Sequence, residues 1–329
     1  MFTKEFVRNC IIFVLAAFFI LIVCVINNHV SHAYPDLDEH SYVVEHLLYQ
    51  SNGVDFRNDD TVVYREDSTQ AQFYPDSYFT LLVNESDKKV LAAKNVHQRM
   101  YPASMTKVMT AIVVADQLEA GNIRMEDMVT VKQHYDLTSR DVAPCPLYAG
   151  FQISVKDLLY GLMIESNNYY ALILADHIGG GEEGFVALMN EKAEQIGATN
   201  SHFMNPHGLD DVNHYTTAYD MYLIMKEAYS HDVLREIDQY DTYEYSYLDS
   251  NGVAVDMESE STNMFITGEV SLPATFEIEL WKTGTTSGAG NCLAMCLKKD
   301  GKSYIVVASS GESKQNLYDS IIKLLCLIK

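Results

Sequence analysis

Positive charge is scarce in this sequence. Lys plus Arg number 23 against 45 Asp plus Glu, a formal net charge of 23 − 45 = −22. A nucleic-acid partner calls for a basic face, and so does an electrostatic hold on anionic lipid, so the balance argues against both. A disulfide framework is also lacking. Of the 6 cysteines, Cys10 and Cys24 lie in an apolar N-terminal run, and Cys145, Cys292, Cys296 and Cys326 are scattered. Cys292 and Cys296 fall on an expected strand, too far apart to bridge each other there. These four read as buried or free thiols. There is no H-E-x-x-H zinc signature, no internal repeat and no low-complexity tract. At 48% hydrophobic and 21% charged, the 329 residues can bury a core, and nothing in the composition points to bulk disorder.

Long apolar runs are limited to Cys10–Ile26, which follows Lys4 and Arg8. It reads as an export signal or a short membrane anchor. Its 26 − 10 + 1 = 17 residues would span about 25 Å as a helix, short of a ~30 Å hydrocarbon core, a mismatch that flanking residues or local thinning can cover. Ser31-His32-Ala33 offers small residues where a signal peptidase cuts. Either way the remainder is expected outside the cytoplasmic membrane. The chain ends right after an expected closing helix, with no tail to reach lipid, so we expect the run to stay on as the anchor. Three segments follow: 1–33 as signal or anchor, 34–77 as a polar, acidic spacer with a short helix expected at 41–49, and 78–329 as the folded domain.

From Tyr78 the pattern sharpens. Two strands, 78–83 and 90–93, flank the polar turn 84–89, a hairpin signal. A helix opens at Tyr101-Pro102-Ala103-Ser104-Met105-Thr106-Lys107, with Pro102 suited to its start and Met105, Val108, Met109, Ile112 and Val113 as its apolar stripe. Ser154-Val155-Lys156-Asp157 is a capping box for the next helix, which ends at Glu165-Ser166-Asn167-Asn168. Helices are expected at 169–177, 185–196, 219–229 and 234–237, with Gly179-Gly180-Gly181 and Gly197 as breaks. Strands at 277–284, 292–297 and 304–309 and a helix at 315–328 close the chain. Strands at both ends with helices between them mean an α+β domain whose sheet is mainly antiparallel and assembled from both chain ends.

Ser104 and Lys107 are three apart on one helix face. A serine at a helix N-terminus meets free N–H groups that favour developing negative charge. A desolvated lysine beside it loses preference for its charged form and can take the serine's proton. Ser104 is thus a candidate nucleophile and Lys107 its general base. Alone, S-x-x-K is common and means little. Two further elements follow in order: Ser166-Asn167-Asn168, which by itself is an ordinary capping loop, and Lys282-Thr283-Gly284. Lys282 adds a second positive charge that depresses Lys107 and attracts a carboxylate. Ser166 can relay a proton, Asn168 can both donate and accept, and Gly284 permits close backbone approach.

S-x-x-K, S-x-N and K-T-G in this order resemble the serine-type D-alanyl-D-alanine carboxypeptidases, the low-molecular-weight penicillin-binding proteins. The resemblance runs from about Tyr78 to Lys329 and extends to 199–209, 214–220 and 282–290. It implies a β-lactamase/penicillin-binding-protein-like transpeptidase fold. It implies a nucleophile at Ser104, a base at Lys107, a relay at Ser166, and substrate contacts at Asn168, Lys282, Thr283, Gly284 and Thr285. The oxyanion hole would be the N–H groups of Ser104 and Thr285. The implied substrate is a peptidoglycan stem peptide ending in D-Ala-D-Ala, with β-lactams as covalent inhibitors, no cofactor, no metal, and a place on the extracytoplasmic face of a bacterial envelope. The family's arginine near the substrate carboxylate has no counterpart; Asn316 falls at its place, with Lys314 as a less directional substitute. A β-lactamase shares the acylation machinery, and Glu165 beside Ser166 keeps that alternative open. A zinc peptidase built on His202, His207, His214, Asp210 and Asp211 is a weaker one. A wall-binding protein with a decayed site is a third, against which the intact motif residues speak.

Overall fold

The computed structural model describes residues 78–329, apart from 141, 238–239, 311–312 and 329. The apolar run, the spacer and the helix expected at 41–49 lie outside the described residues. All described residues belong to one unit, Phe56–Lys329.

A five-stranded sheet forms the spine. Its strands are β1 (Thr80–Asn84), β2 (Lys89–Lys94), β7 (Glu277–Thr286), β8 (Gly290–Lys299) and β9 (Lys302–Ser310), in the spatial order β2-β1-β9-β8-β7. Every pair is antiparallel. Residues near the start of the domain thus pair with residues near its end, as in Leu81 opposite Val307. The strands are apolar on both faces because both faces are covered. Along β8, Cys292, Ala294 and Cys296 join the main helical core, while Leu293, Met295 and Leu297 join a second core. That second core lies under the closing helix, which supplies Leu317, Tyr318, Ile321, Leu324 and Leu325.

The helices are α1 (Thr106–Glu119), α2 (Val155–Ile164), α3 (Asn168–Ile178), α4 (Glu182–Gln195), α5 (Ala218–Ser230), α6 (Asp232–Ile237) and α7 (Lys314–Leu325). A 3-10 turn, Ala103–Met105, leads into α1. The apolar stripe understates α1, since every residue from Thr106 to Ala115 is buried. Besides Lys107, two polar side chains face inward there and find partners: Thr110 donates to the Pro206 carbonyl at 2.6 Å, and Thr106 Oγ1 meets His214 Nε2 at 2.8 Å. The capping box forms, with the Asp157 N–H donating to Ser154 Oγ at 3.0 Å.

A second sheet was not expected. It contains β3 (Met128–Thr130), β4 (Gln152–Ser154), β5 (Thr242–Leu248) and β6 (Ala254–Glu260), in that spatial order. β5 and β6 form a hairpin on which Tyr243, Tyr245 and Tyr247 alternate with Thr242, Glu244, Ser246 and Leu248. The turn chemistry Asp249-Ser250-Asn251-Gly252 between them marked it. Of the cysteines, Cys145, Cys292 and Cys296 are buried free thiols and Cys326 is an exposed one. Among the described residues no helix is long and apolar enough to cross a membrane.

Candidate active site

Ser104 sits in the 3-10 turn, one residue after Ala103, whose φ is 47°. This turn is wedged between two glycines. A Cβ on Gly284 would come within 3.0 Å of the Ser104 nitrogen and the Ala103 Cβ, and a Cβ on Gly208 within 1.9 Å of the Ala103 carbonyl oxygen. Strand β7 and the 205–209 turn therefore press on the serine from two sides. Only a residue without a side chain permits this approach.

Lys107 is fully buried one helical turn on. Its Nζ lies 2.8 Å from Ser104 Oγ, 2.7 Å from Asn168 Oδ1 and 2.6 Å from the His207 carbonyl oxygen. Burial holds its pKa well below the usual lysine range, and the charge on Lys282 pushes the same way. A neutral amine has two N–H donors and one lone pair. Asn168 and His207 offer acceptors only, so they take both donors. The lone pair is left for the Ser104 hydroxyl.

The α2–α3 junction supplies the second group. Asn167 caps α3, accepting from the Tyr169 and Tyr170 N–H groups, and its Nδ2 donates to Glu165 Oε1 at 2.6 Å. Asn168, the first residue of α3, is thereby held against Lys107. Ser166 adopts φ of 68°, in the left-handed region, and its buried Oγ has no hydrogen-bond partner among the described residues. A buried hydroxyl left unmatched costs free energy and calls for a functional reason. Burial raises the Glu165 carboxyl, which accepts from Asn167 Nδ2 within the junction.

Lys282 is also fully buried, and its Nζ lies 3.4 Å from the Thr283 carbonyl and 5.6 Å from the Trp281 ring. Thr283 Oγ1 pairs with Thr262 Oγ1 at 2.6 Å, and Thr285 Oγ1 is 3.2 Å from Asn291 Oδ1. A cleft of about 200 Å³ is lined by Ser104, Ser166, Thr283, Gly284 and Thr285, together with Thr262, Asn291, Cys292, Lys314, Leu317 and Tyr318. All three motifs thus converge. The closing helix α7 contributes the residue expected as the substitute charge. Asn316 is not among the lining residues; its N–H bonds Ser313 Oγ at 3.1 Å in the helix cap, and Lys314 lines the cleft instead.

The histidines weighed as zinc ligands hold the 205–214 loop. His214 Nδ1 accepts from the Met204 N–H at 3.0 Å, so the neutral ring donates from Nε2 to Thr106 Oγ1. His207 Nδ1 accepts from the Leu209 N–H at 3.1 Å. Burial lowers both, His214 to about 4 and His207 well below its usual value. Sequence reasoning also missed the His207 carbonyl, Thr262 and Cys292 as parts of the site. A backbone acceptor leaves no side-chain signature. The other two are brought in by the sheet edge and the strand after it.

Comparison with known proteins agrees with this geometry. A family model described as D-alanyl-D-alanine carboxypeptidase matches residues 66–312. The carboxypeptidase DacF of Bacillus subtilis is 33% identical over 245 residues, 74% of this chain and 60% of that protein. DacC of Escherichia coli is 36% identical over 225 residues, 67% of this chain and 53% of that protein. The chain thus spans between half and three-fifths of the length of these curated relatives. A point mutant of the Streptomyces K15 DD-transpeptidase superimposes with a TM-score of 0.69 at 26% identity, covering 77% of this chain and 97% of that one. Penicillin binding protein 6B from Escherichia coli gives 0.64 at 29% identity, covering 77% of each. The antiparallel sheet with its helices is the fold of these DD-peptidases, β-lactamase-like in class. From sequence match, shared fold and the serine–lysine pair at its centre, we conclude that the chain belongs to the D-alanyl-D-alanine carboxypeptidase family.

Proposed function

We propose that this protein is a penicillin-binding serine D,D-carboxypeptidase that removes the terminal D-alanine from peptidoglycan stem peptides. The observation that carries the reading is the buried amine of Lys107, held by two acceptors with Ser104 Oγ at 2.8 Å. Ser104 Oγ attacks the carbonyl carbon of the penultimate D-alanine while its proton passes to Lys107. The carbonyl oxygen becomes an oxyanion, stabilised by the N–H groups of Ser104 and Thr285; donors of this kind contribute about 10²–10³-fold each. Collapse breaks the C–N bond, and the leaving D-alanine amine takes a proton through Ser166. Water then hydrolyses the Ser104 ester and regenerates the hydroxyl. With Oδ1 committed to Lys107, Asn168 keeps its Nδ2 donor for a substrate carbonyl. Lys282 and Lys314 supply positive charge for the substrate carboxylate, and Thr283, Gly284 and Thr285 form the strand wall along which the peptide lies. β-Lactams acylate the same serine. The reading needs no metal or organic cofactor.

The unit 78–329 is the catalytic part. The N-terminal run, retained through Cys10–Ile26, holds it by an acidic spacer at the extracytoplasmic face of the membrane. Release of D-alanine from a peptide ending in D-Ala-D-Ala, abolished by Ser104→Ala, is the expected result. Undiminished release by that variant would contradict the assignment. Sequencing the N-terminus of the native protein tests the tether: a mature chain beginning at Tyr34 and recovered in the soluble fraction would show that the run is only an export signal.

A further inference from the structure

The Asp210 carboxylate bonds to two points on the turn between β7 and β8. Thr286 Oγ1 donates to its Oδ1 at 2.6 Å, and the Gly288 N–H donates to its Oδ2 at 2.9 Å. The turn closes on itself through the Ala289 N–H, which donates to Thr286 Oγ1 at 3.0 Å. Gly288 fits this seat only because it lacks a side chain. A Cβ there would lie 2.8 Å from Asp210 Oδ2 and 3.0 Å from Tyr101 Cδ2. A third segment joins as well, since Arg140 donates from Nη2 to the Asp210 carbonyl.

The position of this contact gives it meaning. β7 is the edge strand of the five-stranded sheet, paired on one side by β8 alone. Thr285 is its penultimate residue, so its amide direction depends on how the end of the strand is held. Asp210 belongs to the loop that carries the His207 carbonyl, the acceptor of Lys107. That loop is itself stiff. Asn205 Oδ1 accepts from the Gly208 N–H at 2.7 Å and its Nδ2 donates to the Leu209 carbonyl at 2.9 Å. One short run of chain, His207 to Asp210, therefore touches the lysine at one end and the residue after Thr285 at the other.

We propose that Asp210 is a positioning residue that fixes the β7–β8 turn, and with it the Thr285 N–H, in register with Ser104 and Lys107. The inference rests on the D,D-peptidase reading for its consequence in catalysis, and on the contacts alone for the clamp. A charged acceptor makes shorter and stronger bonds to O–H and N–H donors than a neutral one. Removing it frees an edge-strand end. A displacement of an oxyanion donor by about 1 Å is enough to cost about 10²-fold in rate.

The test uses the full chain and labelled penicillin, separating the acylation rate constant from the preceding binding constant. Asp210→Ala should lower the acylation rate about ten- to a hundredfold while binding changes by less than about threefold. Thr286→Val, which keeps the shape and removes the hydroxyl, should lower it in the same direction. The double variant should lose less than the product of the two single losses, because both variants remove the same Thr286–Asp210 bond. Hydrogen exchange at the Gly288 and Ala289 amides should accelerate in Asp210→Ala. Parental acylation rates in both single variants, or strictly additive losses, would overturn the inference. If Asp210→Ala fails to fold, Thr286→Val carries the rate test. If the parent itself takes no label, the functional reading fails, and the exchange measurement still decides whether the clamp exists.

Discussion

Lys107 and Ser104 were legible as a pair because their spacing is a property of any helix. The two acceptors that hold Lys107 were not, since one is the side chain of Asn168, 61 residues on, and the other a main-chain carbonyl 100 residues away. The pair's protonation fixes a pH response. Burial first and Lys282 second lower the Lys107 pKa, so the amine is neutral at pH values where an ordinary lysine is charged. Acylation should rise with pH through the folded-state pKa of Lys107 and reach its plateau well below the usual lysine range. Lys282→Gln removes one of the two causes, so the rise should shift to higher pH, with weaker substrate binding; a pH–rate profile of penicillin acylation reads both. An unmoved profile would mean that Lys282 exerts no field on the base. Lys107→Ala should slow acylation by about 10²–10⁴-fold, the range for general-base catalysis. Gly284→Ala is a steric test of the same site. Its new methyl would meet Cys292 Sγ at 2.8 Å and the Ser104 nitrogen at 3.0 Å. A loss of about 1–3 kcal/mol in unfolding free energy is expected from overpacking, with slower acylation. A melt matching the parent would show that the serine turn yields freely.

Among the elements, those with strong caps and long apolar patterns were readable from the sequence, and the α2–α3 junction shows why the cap matters to function. Asn167 reaches back from its N–H to the Gly161 carbonyl of α2, caps the start of α3, and leaves Asn168 facing Lys107. Asn167→Ala should cost about 1 kcal/mol, the usual loss for an N-cap, and also slow acylation because Asn168 loses its fixed origin. Thermal unfolding and acylation kinetics together check this; a stability loss with unchanged kinetics would separate the cap from the site. The second sheet escaped the sequence reading for a physical reason. Its strands β3 and β4 are three residues each, too short for a period to emerge. β5 and β6 carry charged residues on their outer face, including Glu244 opposite Glu258.

At the scale of the whole molecule, the sheet joins residues 80–94 to 277–310, which is how Ser104 and the stretch Thr283-Gly284-Thr285 come to share a cleft. The alternation of β8 between two cores was visible as an apolar run but not as a division between faces. Stability should fall with acid in a way that traces to the loop behind the serine. His214 has a folded pKa lowered from 6.5 to about 4, so between those values the unfolded chain binds the extra proton. Its contribution is present above pH 6.5 and lost as pH falls to about 4, in order of magnitude about 3 kcal/mol. Asp220 opposes it, since burial raises its carboxyl from 3.8 to about 6 and the folded chain binds the proton there. The comparison is therefore between the parent and His214→Gln: the difference between their unfolding free energies should shrink toward acid. A constant difference from pH 7 to 4 would show that His214 titrates normally. The central claim is that Ser104, activated by Lys107, forms a covalent acyl-enzyme. Incubating the full chain with labelled penicillin, digesting it and mapping the label by mass spectrometry tests this most directly. A stable adduct on the peptide containing Ser104, absent from Ser104→Ala, is the predicted result. Label on another residue, or equal labelling of Ser104→Ala, would contradict it.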